Sequence, residues 1–233
     1  MSEVGGLRVA PSVALKERRL ASLLQGRDPQ EPRLVEDVED AQLLGSLELA
    51  GFTVSWDEMK AGRRGEPGPE VVLRLRRARQ AVDPRELFSL AALRTWDAAL
   101  SGNPGFRRTE RTREGQPPAP PAFIETRLAV LEDWLRSEGV RSLKPVGMAA
   151  LALARLVEIL PFEDGNGRIS RLAASHLMVR GGLRPPILAG GDAPRLEAAL
   201  EAAFRFQTEP LVLLLEEGSG RCLDVMIQTL ERA

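Results

Sequence analysis

Tyrosine is missing from this 233-residue chain, and cysteine and histidine occur once each, at Cys222 and His176. A lone cysteine excludes an intramolecular disulfide and fits a reducing compartment. Aromatic residues make up only 4% of the chain, against plentiful Arg, Ala, Leu and Gly, a bias that suits a GC-rich bacterial genome. No sign of charge dominates: the net charge of -1 argues against a general electrostatic grip on nucleic acid or an anionic membrane. The opening MSEVGGLRVAPSVALKERRL lacks the apolar core of a signal peptide. The longest apolar window, MAALALARLVEIL, is broken by Arg155 and Glu158 and is too short to span a bilayer. These absences leave a soluble, cytoplasmic protein with neither nucleic acid nor membrane as partner. Its length suits one sizeable domain with a small appendage.

What is present is helical periodicity. Residues 12 to 25 put Val13, Leu20, Leu23 and Leu24 on one stripe. A second helix is expected from Pro32 to about Leu49, its early acids (Glu36, Asp37, Glu39, Asp40) set against the helix dipole and Gly51 acting as stop. Ser55 and Glu58 have capping-box spacing. Asp83-Pro84-Arg85-Glu86 reads as the opening of a helix to about Leu100. Further helices are expected at 123–137, 145–160, about 168–180, 193–205 and 220–231, with Gly/Pro-rich loops at 61–70 and 101–122. The expected fold is mostly α, with one small β-hairpin near 105–117.

Chemistry concentrates in LPFEDGNGRISR, Leu160 to Arg171, directly after the apolar helix 145–160. Gly165 and Gly167 allow successive backbone N–H groups to converge as an anion nest, and the next helix starts at the same point. Arg168 and Arg171, one turn apart, suit forked contacts to phosphate oxygens, and Asp164 offers the hard oxygen that magnesium takes. The cluster describes a nucleotide di- or triphosphate site; a helix–turn–helix corner with solvated arginines is the plainer alternative. A P-loop is excluded because no Gly-Lys-Ser/Thr follows, and an EF-hand because Ile169 and Ser175 stand where glycine and glutamate would be needed.

PFEDGNGRISR resembles the signature of Fic (Fido) domain proteins, H-x-F-x-[D/E]-G-N-G-R-x-x-R, at Phe162, Asp164, Gly165, Asn166, Gly167, Arg168 and Arg171, with the family's usual proline at Pro161. PPAPPAFIETRLAVLEDWL and RLAASHLMVRGGLRPPIL resemble the segments on either side, extending the likeness over residues 85 to 215. The resemblance implies a helical Fido fold and a site for a nucleoside triphosphate, ATP or another, with magnesium. Asp164 would hold the metal; Gly165, Asn166 and Gly167 would cradle the phosphates, contacted by Arg168 and Arg171; Phe162 would anchor the loop. It also implies a Fic-like core over 85–233 and an N-terminal helical region over 1–84. Most members transfer AMP to a protein hydroxyl, a flap at about 105–117 aligning the target by strand addition. The resemblance leaves room for a homodimer.

Two departures qualify it. Leu160 occupies the position of the family's proton-accepting histidine, and leucine accepts no proton. A positioned base is worth about 10²–10⁴-fold. His176, eight residues beyond Arg168 and so about 12 Å along the helix, is a helix residue rather than a substitute base. Ser46-Leu47-Glu48-Leu49-Ala50-Gly51 fits the family's inhibitory pattern [S/T]-x-x-x-E-[G/N] except that Ala50 replaces the glutamate that pairs with the second arginine. An ordinary helix C-terminus explains the same residues. Three functions follow. The first is a nucleotide-binding pseudoenzyme or partner-binding module. The second is a nucleotidyltransferase acting on a nucleophile already ionised. The third is an AMP transferase into which Leu160 and Ala50 were introduced. The arginines Arg107, Arg108, Arg111 and Arg113 alternate with Glu110 and Glu114 and read as a solvated hairpin beside the site.

Overall fold

The computed structural model describes residues 3–4, 7–8, 11–27, 31–64, 66, 68–102, 105–113 and 117–232. Helices α1 (Pro11–Leu23), α2 (Pro32–Glu48), α3 (Trp56–Arg63), α4 (Glu70–Gln80) and α5 (Leu90–Ser101) precede a long irregular connection. Then come α6 (Ile124–Arg136), α7 (Glu138–Arg141), α8 (Pro145–Ile159), α9 (Asn166–Arg180), α10 (Ala193–Phe204) and α11 (Glu209–Arg232). Among the described residues the only strands are β1 (Glu3–Val4) and β2 (Leu7–Arg8), an antiparallel pair far from 105–117 in sequence. No described helix is long and apolar enough to cross a membrane.

α8 is the centre of the molecule. Ala149, Ala150, Ala152, Leu153 and Leu156 are all at or below 1% exposure, so it is covered on several sides by α6, α9, α10 and α11. Its small residues let α9 approach closely, and α9 answers with Ala173, Ala174 and Met178, all fully buried. One continuous apolar core joins Leu43, Leu47, Met59, Val72 and Leu75 from the N-terminal helices to Leu153, Phe162, Leu172 and Leu215. Each such leucine or phenylalanine contributes about 1.5–3 kcal/mol on leaving water. A smaller cluster (Leu20, Leu34, Val38, Cys222, Leu223) seals α1 and α2 onto α11.

Several expectations hold: the Ser55–Glu58 capping box forms, and Gly51 takes a left-handed φ of 82° after α2. Others need correction. The acids of α2 lie beyond its first turn and serve ion pairs. Fully buried Asp40 binds Arg76 and Arg63, while Glu39 lies 3.6 Å from Arg76, locking α2 to α3 and α4. Asp83-Pro84-Arg85-Glu86 opens no helix: the Asp83 carboxylate accepts the Arg85 N–H (2.8 Å), and the chain closes a turn there instead. Arg180 then donates to the Arg85 and Glu86 carbonyls, and α5 starts at Leu90 with Ser89 capping Ala92. Residues 70–80 are helical because Val72, Leu75 and Ala78 share a buried face. α11 begins eleven residues before the expected 220, through Gly218: its missing side chain admits the Ile187 backbone, whose N–H bonds the Gly218 carbonyl at 3.1 Å. No strand ladder forms over 105–113, an irregular segment held by other means; residues 114–116 of the expected hairpin lie outside the described residues.

His176 is 3% exposed, its ring edge-on to Trp96 at 5.5 Å between centroids. Burial, then the Arg180 and Arg79 charges, depress its pKa from the ordinary value of 6.5. The unfolded chain therefore binds more protons, so this contribution to stability is complete above about pH 6.5 and lost as pH falls toward the depressed value. Thermal unfolding from about pH 8 to 5 should show wild type losing stability faster than His176→Phe; parallel curves would refute this account.

Candidate functional site

The site is built where buried α8 stops. Leu160 caps α8 in a left-handed conformation (φ 52°, ψ 62°), a region that strains a leucine by about 1–2 kcal/mol. The turn frees the Leu160 and Ile159 carbonyls from the helix, and Arg107 takes both with its guanidinium. The same guanidinium bonds the Thr109 and Ala119 carbonyls, and the Arg107 N–H bonds the Pro161 carbonyl at 2.8 Å. Arg107 is 2% exposed, and burial lowers its pKa. The expectation of a solvated basic hairpin therefore fails at this residue: it is a buried clamp between the 105–113 segment and the end of α8. A run of arginines in a loop gives no sequence signal for which one turns inward.

Phe162 is 1% exposed and packs on Phe106 (5.8 Å between ring centroids). Its backbone is stapled from both sides by the Asn166 side chain, which accepts the Phe162 N–H (2.9 Å) and donates to the Phe162 carbonyl (2.8 Å). Asn166 thus shapes the loop with its side chain, and its backbone N–H lies in the first turn of α9. Gly165 precedes α9 with φ 75°, and a Cβ there would lie 2.6 Å from Leu100 Cδ2, so α5 presses directly on the turn. Gly165 supplies no side-chain cap, which leaves the N–H groups of the first turn of α9 open at the positive end of the helix dipole. A Cβ at Gly167 would meet Arg171 Nη1 at 3.1 Å; the glycine makes room for that guanidinium.

Neither arginine is freely solvated. Arg168 bonds Asp164 (2.9 Å), its Cζ lies 5.3 Å from the Phe52 ring centroid, and its side chain is 8% exposed. Arg171 reaches across to α2, donating to Ser46 Oγ (3.0 Å) and the Ser46 carbonyl (2.7 Å). Burial and the Arg168 charge pull Arg171 down to about 10, still a cation at neutral pH. Arg168 is the only charge acting on it among the described residues. Ser46 thus sits at the second arginine, while Ala50 and Gly51 lie in the exposed turn after α2. Glu48 points elsewhere, accepting the Gly190 N–H at 2.9 Å. α2 approaches this closely because Gly45 has no side chain: a Cβ would collide with the Leu188 carbonyl oxygen at 1.7 Å.

Asp164 is 86% exposed, its carboxylate open to a cation from solvent. No group of three metal-ligating side chains forms among the described residues, so a cation here would take most of its ligands from phosphates and water. Glu163 faces the other way. Its carboxylate accepts the Arg108 N–H (3.0 Å) and the Thr109 hydroxyl (2.7 Å), which hold its pKa low, and so latches the 105–113 segment onto the loop. Glu163, to which the sequence assigns no role, and Arg107, expected in a solvated hairpin, both hold the 105–113 segment against the loop. Arg111, which bonds the Glu163 carbonyl (2.9 Å), and Arg113, which bonds the Val157 carbonyl (2.9 Å), help them. His176 lies within the core, away from this loop.

The sequence model of the Fic/DOC family matches residues 83–178. A protein adenylyltransferase Fic from Drosophila willistoni is 36% identical over 122 residues, 52% of this chain and 24% of the relative. The matched stretch is thus about a quarter of that relative's length. Among solved structures, Fic-1 from C. elegans aligns with a TM-score of 0.76 at 21% identity, covering 94% of this chain and 74% of that one. A Fic domain containing signaling protein from Bacteroides thetaiotaomicron aligns with a TM-score of 0.76 at 20% identity, covering 95% and 98%. These likenesses establish the fold.

Gly165→Ala should destabilise the protein by about 1–3 kcal/mol through left-handed strain and overlap with Leu100. Arg107→Met should cost about 3 kcal/mol or more, because buried carbonyls lose a charged donor. Denaturant unfolding checks both, and wild-type midpoints would contradict the packing described.

Proposed function

We propose that this chain, which carries a Fic/DOC family domain at residues 83–178 and is related to protein adenylyltransferases, binds a nucleoside triphosphate with magnesium at 160–171 and lacks the histidine-dependent route of AMP transfer. The observation that carries the reading is Arg171. A half-buried cation whose partners are the Ser46 hydroxyl and carbonyl, with no carboxylate beside it among the described residues, is poorly compensated, and a phosphate would compensate it. The open first turn of α9 and Arg168 present further donors from the same side. When bound, magnesium would bridge and neutralise phosphate oxygens; Asp164 is the side chain that would hold it.

In this reading residues 1–84 form an N-terminal region whose inhibitory helix is degenerate. Ser46 has kept its place beside Arg171, and Ala50 provides no carboxylate to block it. Residues 105–117 are the flap that faces a protein target, and their described part, 105–113, is held by Arg107 and Glu163. Leu160 removes the base, so holding the nucleotide and using it by the family's usual route are separated. The protein then acts as a nucleotide-dependent binding module. Transfer to an already ionised nucleophile is the second reading, favoured by the survival of all the phosphate-handling residues around a missing base.

Titration calorimetry with ATP and Mg²⁺ should give binding that weakens at least about tenfold in Arg171→Ala, the loss of one charged contact. Absence of binding in the wild type would overturn the reading. Leu160→His also suits the left-handed turn better, histidine being enriched there. It should confer labelling of lysate proteins by α-labelled ATP, whereas wild-type labelling that vanishes in Asp164→Ala would establish the second reading.

A further inference from the structure

α8 is covered on most of its sides, and Arg155 is its one exposed residue, with half-buried Leu151 one turn earlier on the same line. Arg127, Val130 and Trp134 of α6, at helical spacing, border this line. Between the two helices runs a groove of about 660 Å³, closed at depth by buried Ile159. Val130 is 64% exposed at its rim. Buried Glu158 also lines the groove, and Arg155 answers its carboxylate. Arg127, exposed on α6, makes no ion pair among the described residues. The groove therefore sets an uncompensated positive charge beside an apolar wall.

A second feature marks the same place. Phe206, just past α10, is 82% exposed with φ 65°, and the Gln207 N–H closes back on the Ala202 carbonyl at 3.0 Å. Helix ends closed in this way normally carry glycine at that position, so the phenylalanine is strained as well as solvated. Its ring centroid lies 5.8 Å from Arg155 Cζ, which puts it beside the groove. The groove also meets the 105–113 segment. Arg113 bonds the Val157 carbonyl, next to Glu158, and its Cζ lies 4.7 Å from the Phe204 ring centroid. Arg107 reaches the Ile159 carbonyl in the same turn.

We infer that the groove between α6 and α8, with Phe206 at its side, docks an acidic segment of the target polypeptide that carries a large apolar side chain. The apolar side chain covers Val130, Trp134 and Phe206, and an Asp or Glu of the same segment pairs with Arg127. Buried aromatic and arginine anchors carry most of the affinity of such contacts. A chain lying in the groove runs on to Arg113, so one polypeptide reaches both surfaces. Assigning the occupant to the target rests on the reading of 105–117 as a flap; the complementarity of an acidic, apolar segment does not.

The test is selection from a random peptide display library on the full chain, followed by titration of the selected peptides. These should combine a large apolar residue with Asp or Glu about one helical turn away. Val130→Glu and Arg127→Glu, at exposed positions, should each weaken binding at least about tenfold, and selection on Arg127→Glu should turn to Lys or Arg. Phe206→Gly should also bind more weakly, yet unfold at a higher denaturant concentration, because glycine relieves the left-handed turn. Failure to select peptides, selection without an acidic preference, or wild-type affinity in Val130→Glu and Arg127→Glu overturns the inference. So does a dimer in sedimentation that Val130→Glu dissociates, which would give the groove to a second copy of this chain. All three variants lie outside 160–171 and should keep wild-type ATP binding. Absence of ATP binding in the wild type overturns the nucleotide reading and leaves the peptide result to decide the groove.

Discussion

The arrangement depends on how a fully buried helix is brought to an end. α8 runs through the core and must stop without leaving its last carbonyls unsatisfied in an apolar surround. The Arg107 guanidinium, itself buried, answers the Ile159 and Leu160 carbonyls and turns the chain out of the core. Because the same group also bonds Thr109 and Ala119, one cation fixes the loop and the segment facing it in a single geometry. Hydrogen bonds from charged donors to buried carbonyls are among the stronger ones available, which suits a junction that carries no regular secondary structure.

From that junction the other contacts follow in order. Phe162 seats the loop in the core, Asn166 staples it, and Gly165 turns it under pressure from Leu100. α9 then starts with its N-terminus open and two guanidinium groups beside it, one balanced by Asp164 and one resting on Ser46. α2 is fixed relative to α9 from a distance, by the buried Asp40–Arg76 pair and by the close approach at Gly45. The environment of Arg171 is therefore decided by helices from both ends of the chain.

Legibility from sequence varied with how local the cause was. Helices with a clean apolar stripe, the Ser55 capping box and the Gly51 stop were readable because their causes lie within a few residues. The false helix start at Asp83 shows the limit: Asp-Pro-x-Glu serves equally well as a helix cap and as a turn. The choice was made by Arg180, nearly a hundred residues away, which bonds the turn's carbonyls. α11 starts eleven residues before the expected 220, and Gly218 within it provides a close approach to Ile187, a contact made across the fold.

The residue types of the loop, its place after an apolar helix, and the Leu160 and Ala50 departures are properties of the sequence alone, since motif spacing is covalent. Which charges are paired is not. Arg107 buried, Arg171 turned to Ser46 and Glu163 turned to the 105–113 segment are outcomes of packing. A charged side chain several bonds long has no preferred partner until the core fixes what lies within its reach.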